Sequence, residues 1–430
     1  MSWSWLYLAL SVVGALFTLN AYFPQRGRFL LVPSFFGSWL TIELAAHQLV
    51  LQIVASGLFG VVGVFGHWQG RIGLLCSVAS WTGLVLLVAQ SRRSATTMRE
   101  VLTDLVGDEP GHKVPLSEVL IPFRVKRAGV RRTRNVEFRR VAGKVLRLDV
   151  YQPREPGVRR PAVVQVHGGA WVLGDKREQG IPLLNHLAAN GWVGFNVNYR
   201  LSPGATFPDH LVDVKAAVAW VRDHAEEYGI DRDFICVTGG SAGGHLAALV
   251  ALTAGDRRYQ PGFEQADCSV RAAVPFYGVY DFTNRLGTQQ PELHSWFLEP
   301  IVVKAFLAEE PERFIEASPI DRVHAAAPPM LVIHGDRDTL VPVADARHFV
   351  ERLDAVSEAP VLYAELQGSQ HAFDVFASIR TSAVIEGVER FLAWVHRGHL
   401  DQQAGRTTDA ERDQKAETDA LSGSPAVLKN

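Results

Sequence analysis

The chain opens with three uncharged apolar runs, residues 3–23, 44–66 and 72–90. Each is about the length a helix needs to cross a hydrocarbon core of roughly 30 Å. In lipid only a helix or a closed barrel pairs all of its own backbone groups. The pattern therefore predicts an all-α transmembrane region over residues 1–95 with about three crossings. A fourth apolar run, residues 29–40, is short and interrupted by Pro33. It is expected at the interface or as an extension of the second helix. The first run has no basic start and apolar runs continue past any cleavage point, so a signal peptide is not expected. Glu43, near the start of the second helix, is read as reaching a headgroup or water.

From about residue 144 the period changes. Short β-rich runs (Val145–Tyr151, Ala162–Val166, Trp192–Asn198, Phe234–Thr238, Val270–Pro275, Met330–His334 and Val361–Leu366) alternate with helical ones (Lys176–Asn190, Pro208–Tyr228, Ala242–Ala254, Val343–Ala355 and Val375–His396). Such alternation predicts an α/β fold with a mostly parallel sheet covered by helices on both faces. This domain is placed at 144–398. Its pattern is interrupted at about 282–318 by an apolar insertion that reads as a cap. Residues 96–143, punctuated by Pro110, Gly111, Pro115 and Pro122, read as a basic linker that contributes to the cap through residues 115–135. Residues 399–430 are polar without apolar periodicity and are expected to be a disordered tail.

Charge adds sidedness and a partner. Arg26 and Arg28 follow the first apolar run, and Arg92, Arg93 and Arg99 follow the third, whereas the intervening loop offers Arg71. With three crossings, this excess of basic residues places the large domain on the cytoplasmic side. The basic run that includes Arg124, Lys126, Arg127, Arg131, Arg132, Arg134, Arg139 and Arg140 is read as facing anionic lipid headgroups rather than nucleic acid, because it adjoins the apolar helices. The three cysteines, Cys76, Cys236 and Cys268, are widely spaced and read as small buried hydrophobes. The sequence specifies no oligomeric state.

The chemistry lies in the α/β region. Gly239-Gly240-Ser241-Ala242-Gly243-Gly244 follows an apolar strand and precedes a helix, the setting of a nucleophile elbow. A serine hydroxyl needs a base to take its proton, and acid and base follow in the order expected for such a fold. Asp338 stands just after the strand MLVIH, and His371 after the strand VLYAEL. Loops after parallel strands converge on one sheet edge, where the three can meet. Asp336 is the rival acid, with turn capping as its other role. His334 and His245 read as structural. His167-Gly168-Gly169-Ala170-Trp171 follows another strand, and its glycines let backbone N–H groups turn toward a developing oxyanion with Ala242 N–H as partner. His167 is expected to hold that loop.

Together HGGAWVLGDK, NYRLSPGATFPDHLVDVKAAVAWV, GGSAGGHLAAL, HGDRDTLVP and GSQHAF make residues 144–397 resemble the hormone-sensitive-lipase-like esterases of the α/β-hydrolase fold, and the chain resembles mycobacterial-type membrane carboxylesterases. The resemblance implies Ser241 as nucleophile, Asp338 as acid, His371 as base, and Gly168, Gly169 and Ala242 as the oxyanion hole. It implies no metal and no organic cofactor. Two positions depart from the family pattern: Ala170 replaces a third glycine, and Gly240 replaces an aspartate. Trp171, Trp296 and Phe297 are expected to bind substrate, and the apolar cap points to a lipophilic ester. An amidase or deacetylase with the same three residues stays open, as does a catalytically silent hydrolase fold used as a membrane interaction module. The intact set of three residues argues against the last.

Overall fold

The computed structural model describes residues 2–27, 29–107, 111–123, 126–289 and 294–422, with side chains as far as residue 405. Arg28, Pro110, Arg124 and the last eight residues of the expected tail lie outside the described residues.

The α/β domain is built on an eight-stranded sheet in the order β1-β2-β4-β3-β5-β6-β7-β8. The strands are β1 (Val130–Val141), β2 (Lys144–Pro153), β3 (Arg160–Val166), β4 (Val193–Val197), β5 (Ile230–Gly240), β6 (Ala273–Phe276), β7 (Met330–Gly335) and β8 (Val361–Leu366). β1 pairs antiparallel with β2 and β2 with β4, and all later pairs are parallel. Central strands such as Val193–Val197 are buried at every position, as expected of a sheet covered on both faces.

β1 occupies what the sequence suggested was linker. Its basic residues mask a period-two pattern in which Phe138 is buried and Val136 and Val141 pack on the core. Arg and Lys on an edge strand also discourage pairing with another sheet. Cations of this basic run have internal partners: Arg132 in β1 pairs with Asp149 at 2.7 Å, and Arg127 just before it with Glu118 at 3.4 Å.

In the N-terminal region, α1 (Trp3–Tyr22), α2 (Leu31–Glu43), α3 (Ala45–Val61) and α4 (Trp68–Val106) form a bundle turned inside out. Leu16, Phe17, Leu51, Leu58 and Leu75 face outward. Hydroxyls lie inside, where Tyr7 bonds Ser56 (3.0 Å), Ser77 bonds Ser11 (3.0 Å) and Thr18 bonds Ser80 (2.8 Å). Helices associate this way where the surrounding medium is itself apolar. Among the described residues, two helices, α1 and α4, are long and apolar enough to cross a membrane. The expected second crossing, 44–66, departs from the observed bundle: α3 ends at Val61 and meets α2 at an 85° bend, so the pair makes at most one broken span. The expected boundary at residue 95 is also displaced. α4 runs unbroken for 39 residues, about 58 Å at 1.5 Å per residue, because good helix formers replace its apolar residues beyond Gln90 without any breaker.

The helices covering the sheet are α5 (Leu116–Leu120), α6 (Ile181–Ala189), α7 (Asp209–Asp223), α8 (Ala225–Tyr228), α9 (Ala242–Leu252), α10 (Pro311–Glu316), α11 (Val343–Asp354) and α12 (Ile379–Ser422). α12 extends well past the expected end at 398. The stretch to Ser422 has no proline, one glycine and many Ala, Glu, Gln, Lys and Arg residues, a composition that sustains a helix without apolar periodicity.

α12 also carries the joint between bundle and domain. Arg380 and Glu43 form a fully buried ion pair, Nε to Oε1 at 3.0 Å. Ser378 donates to Glu43 Oε2 (2.7 Å), and Arg380 reaches Ser94 Oγ (3.1 Å) and the carbonyls of Gln367 and Gly368 (3.0 and 3.2 Å). Glu43 therefore faces protein, not headgroups or water as its position near a helix end suggested. Arg380→Met leaves a buried carboxylate uncompensated and is expected to cost about 3–5 kcal/mol, while Glu43→Leu/Arg380→Met together cost far less. Unfolding of the detergent-solubilised protein, run as a double-mutant cycle, measures the difference.

Candidate active site

Ser241 sits between β5 and α9 with φ 58° and ψ −121°, a strained conformation for a residue with a side chain. The turn is possible because its neighbours are glycines. A Cβ on Gly243 would stand 2.1 Å from the Val166 carbonyl oxygen, and one on Gly239 2.5 Å from that of Gly243. Ser241 N–H donates to Phe276 O (3.0 Å), which fixes the turn to the end of β6.

The loops after β7 and β8 bring Asp338 and His371 together. His371 Nδ1 and Asp338 Oδ2 are 2.6 Å apart, and both residues are buried. Asp338 Oδ1 accepts the N–H groups of Leu340 and Val341, each at 2.8 Å. Burial alone would raise the Asp338 pKa. The adjacent His371 and hydrogen bonding from His334 and His371 outweigh it and hold the carboxyl well below the usual range. An ionised Asp338 accepts a hydrogen bond from His371 Nδ1–H, which leaves Nε2 as the ring's free acceptor. Asp336, the rival acid, instead accepts Gly368 N–H at 2.7 Å and caps the turn.

Ser241, His371 and Asp338 line one cavity of about 250 Å³, with Trp171, Phe297 and Leu298 among its apolar walls. Trp296 is not in the lining. It is 54% exposed, because the π-helical segment His294–Val303 turns Phe297 and Leu298 inward instead. The cavity's remaining wall is also not residues 115–135. Arg26, from the connection between α1 and α2, and Leu31, the first residue of α2, stand there. Residues 115–135 are engaged elsewhere, with Pro122 O accepting Ala377 N–H (3.0 Å) and β1 lying at the far sheet edge.

The glycine loop after β3 is placed against Ser241. Gly168 has room for no side chain, its missing Cβ being 3.1 Å from that of Ser241. Its N–H, however, donates to Gln179 Oε1 at 2.6 Å, so it is committed to holding the loop and is not turned to the cavity. Gly169 has φ 114°, where a Cβ would strike the Leu173 carbonyl oxygen at 2.0 Å. His167 accompanies the loop, its Nδ1 2.7 Å from Gly168 O and its ring stacked on Tyr199. Burial pushes the His167 pKa down to about 4. His245 accepts from Trp171 Nε1 (3.2 Å) and donates to Ala317 O (2.7 Å), the bonding of a neutral ring, and burial pushes its pKa down to about 3. Both act structurally. His334 pairs with Asp338 at 3.2 Å.

Sequence reasoning missed four residues of this site. Gln179 holds Gly168. Gln370 accepts the N–H groups of Thr339 (2.8 Å) and His371 (2.9 Å) and so ties the loop after β7 to the loop after β8. Tyr277 donates to Asp374, both buried beside His371, and burial raises the pKa of each. Nothing in local pattern marks them, since each acts on a residue distant in sequence or on the backbone. Among the described residues, no group of three or more His, Cys, Asp or Glu side chains is placed to hold a metal ion.

Residues 148–353 match the BD-FAE family model. The chain is related to the probable carboxylic ester hydrolase LipM of Mycobacterium tuberculosis, 52% identical over 236 residues, which are 55% of this chain and 54% of that protein. The esterase LipQ of the same organism is 45% identical over 260 residues, 60% of this chain and 61% of LipQ. The chain thus spans little more than half the length of the curated relatives it matches. Among solved structures, the esterase Est2 of Thermogutta terrifontis with butyrate bound superposes with a TM-score of 0.52 at 26% identity, over 62% of this chain and 94% of that one. The BD-FAE match ends before His371, and it leaves out the N-terminal bundle.

Within the BD-FAE-like region, Gly240 has a local cause. A Cβ there would come within 2.6 Å of the Tyr277 hydroxyl, so the Tyr277–Asp374 pair occupies the space beside the elbow. Gly240→Ala is expected to destabilise by about 1–3 kcal/mol through overpacking, read as a lowered unfolding midpoint. A midpoint equal to wild type would show that Tyr277 gives way freely.

Proposed function

We propose that the protein is a membrane-anchored serine carboxylic-ester hydrolase that acts on lipophilic acyl esters through Ser241, His371 and Asp338. The observation that carries this reading is the 2.6 Å His371–Asp338 bond at the cavity that Ser241 also lines. His371 Nε2 takes the Ser241 proton as Oγ attacks the ester carbonyl. Gly169 and Ala242 N–H groups hold the oxyanion, each such donor worth about 3 kcal/mol in the transition state. His371 then protonates the leaving alcohol, and a water activated by the same imidazole releases the acid. Asp338 orients His371 and stabilises its cation. Trp171 and Phe297 give the acyl group an apolar surface, and the segment 282–318 that supplies Phe297 serves as the cap.

Anchoring rests on the outward apolar faces of α1 and α4. Arg26, which follows α1, and Arg92, Arg93 and Arg99, which follow the apolar part of α4, favour a hydrolase domain on the cytoplasmic side. A reporter fused to the C-terminus should be active only as a cytoplasmic fusion. Activity of a periplasm-dependent reporter would reverse the orientation.

Hydrolysis of p-nitrophenyl esters of increasing chain length by the detergent-solubilised protein tests the chemistry. Ser241→Ala should abolish turnover. Asp338→Asn should lower kcat by about 10⁴-fold, because the wrong imidazole tautomer is held. A wild type that cleaves anilides but no ester would move the assignment to an amidase. Inactivity toward both would leave a silent hydrolase fold.

A further inference from the structure

The loop that carries His371 is enclosed by the N-terminal bundle. On one side, Ser38 of α2 accepts a hydrogen bond from Gln370 Nε2 (3.0 Å), and Trp39 Nε1 donates to Ala372 O (2.8 Å). Phe35 meets the His371 ring edge-on at 6.3 Å. On the other side, Gly368 at φ 69° lies so close to α4 that a Cβ would stand 2.5 Å from Gln90 Oε1. Ser38 and Gln370 are both fully buried.

Gln370 is the centre of this arrangement. Its oxygen accepts from Thr339 and His371, and its nitrogen is held by Ser38. Rotation of this one amide disturbs the acid loop, the base loop and α2 together. The bundle also reaches the acid loop directly, with Arg26 donating to Asp338 O (3.4 Å) and Arg337 donating to Ala21 O (3.3 Å).

We propose that α2, acting through the Ser38–Gln370 hydrogen bond, is a positioning element for His371, so that the rate of Ser241 acylation depends on the membrane-side helices and not on the α/β domain alone. Ser38 and Gln370 are positioning residues: neither lines the cavity, and both act through the loops that hold His371 and Asp338. A displacement near 1 Å at a reacting group is enough to cost about 100-fold in rate. The inference rests on the proposed triad and goes beyond it by giving the N-terminal helices a part in catalysis.

The test uses the full chain in detergent, with p-nitrophenyl butyrate as substrate and an aryl fluorophosphonate as a probe of Ser241. Gln370→Leu is expected to lower kcat about 100-fold and Ser38→Ala about tenfold, with KM within about twofold of wild type because no substrate contact changes. Phosphonylation should slow in the same proportion. The two changes together should cost no more than Gln370→Leu alone, because they break one connection. Ser38→Ala removes a single oxygen and is the informative variant where Gln370→Leu does not fold. Wild-type kcat in a folded Ser38→Ala, a loss carried by KM alone, or simple additivity of the two changes overturns the inference while leaving the esterase reading intact. A wild type inert to both ester and probe overturns the triad and the inference with it.

Discussion

The structure depends on how closely one helix can approach the sheet. α9 begins immediately after Ser241 and packs against the ends of β3 and β6. At Gly243 and Gly244 a single added carbon would fall 2.1 Å from the Val166 carbonyl oxygen and 2.6 Å from that of Phe276. This contact forces the turn at Ser241 into its strained φ, lifts the hydroxyl above the sheet edge and leaves Ala242 N–H at the free start of the helix. Cost and use coincide: the strain holds one hydroxyl in one place, and the absence of side chains lets the β3 glycine loop come alongside. The loops after β7 and β8 then have a fixed point to meet.

Negative charge at that meeting point is held on Asp338. Asp338 is saturated by two backbone N–H groups and His371, so its negative charge is held against burial. Two other histidines near the sheet edge, His167 and His245, are enclosed in apolar surroundings and committed to hydrogen bonds that keep them neutral. Tyr277 and Asp374, beside the His371 ring, are likewise both pushed toward their neutral forms by burial.

Much of this could be read from residue order because it is local. The elbow is a contiguous glycine pattern between strand and helix, and Asp338 and His371 each follow an apolar strand, so the meeting of Ser241, Asp338 and His371 at one cavity was legible with the sheet itself. What escaped depended on contacts across the chain. Gly168 looked like an oxyanion donor because its sequence permits one, yet Gln179, eleven residues later, takes its N–H. Trp296 and Phe297 were indistinguishable by composition, and the π-helical turn decides which faces the cavity. β1 was hidden because its cations dominate a pattern whose apolar positions are only half of the strand. α12 was cut short because helix propensity without an apolar stripe looks like disorder.

The N-terminal bundle shows a deeper limit of hydropathy. A change from apolar to charged residues along α4 suggested a boundary at residue 95, but a helix has no reason to stop where its solvent changes. α4 continues unbroken through that change and packs against α12. The joint is held by Glu43 and Arg380, which burial makes costly to keep charged, and an apolar pair of the same size would hold the helices at least as firmly. Apolar surfaces, however, slide. A carboxylate that must meet one guanidinium, while that guanidinium also meets the carbonyls of Gln367 and Gly368, admits a single register between α2 and the turn three residues before His371. The ion pair thereby gives the joint direction, and the same register brings Ser38 opposite Gln370.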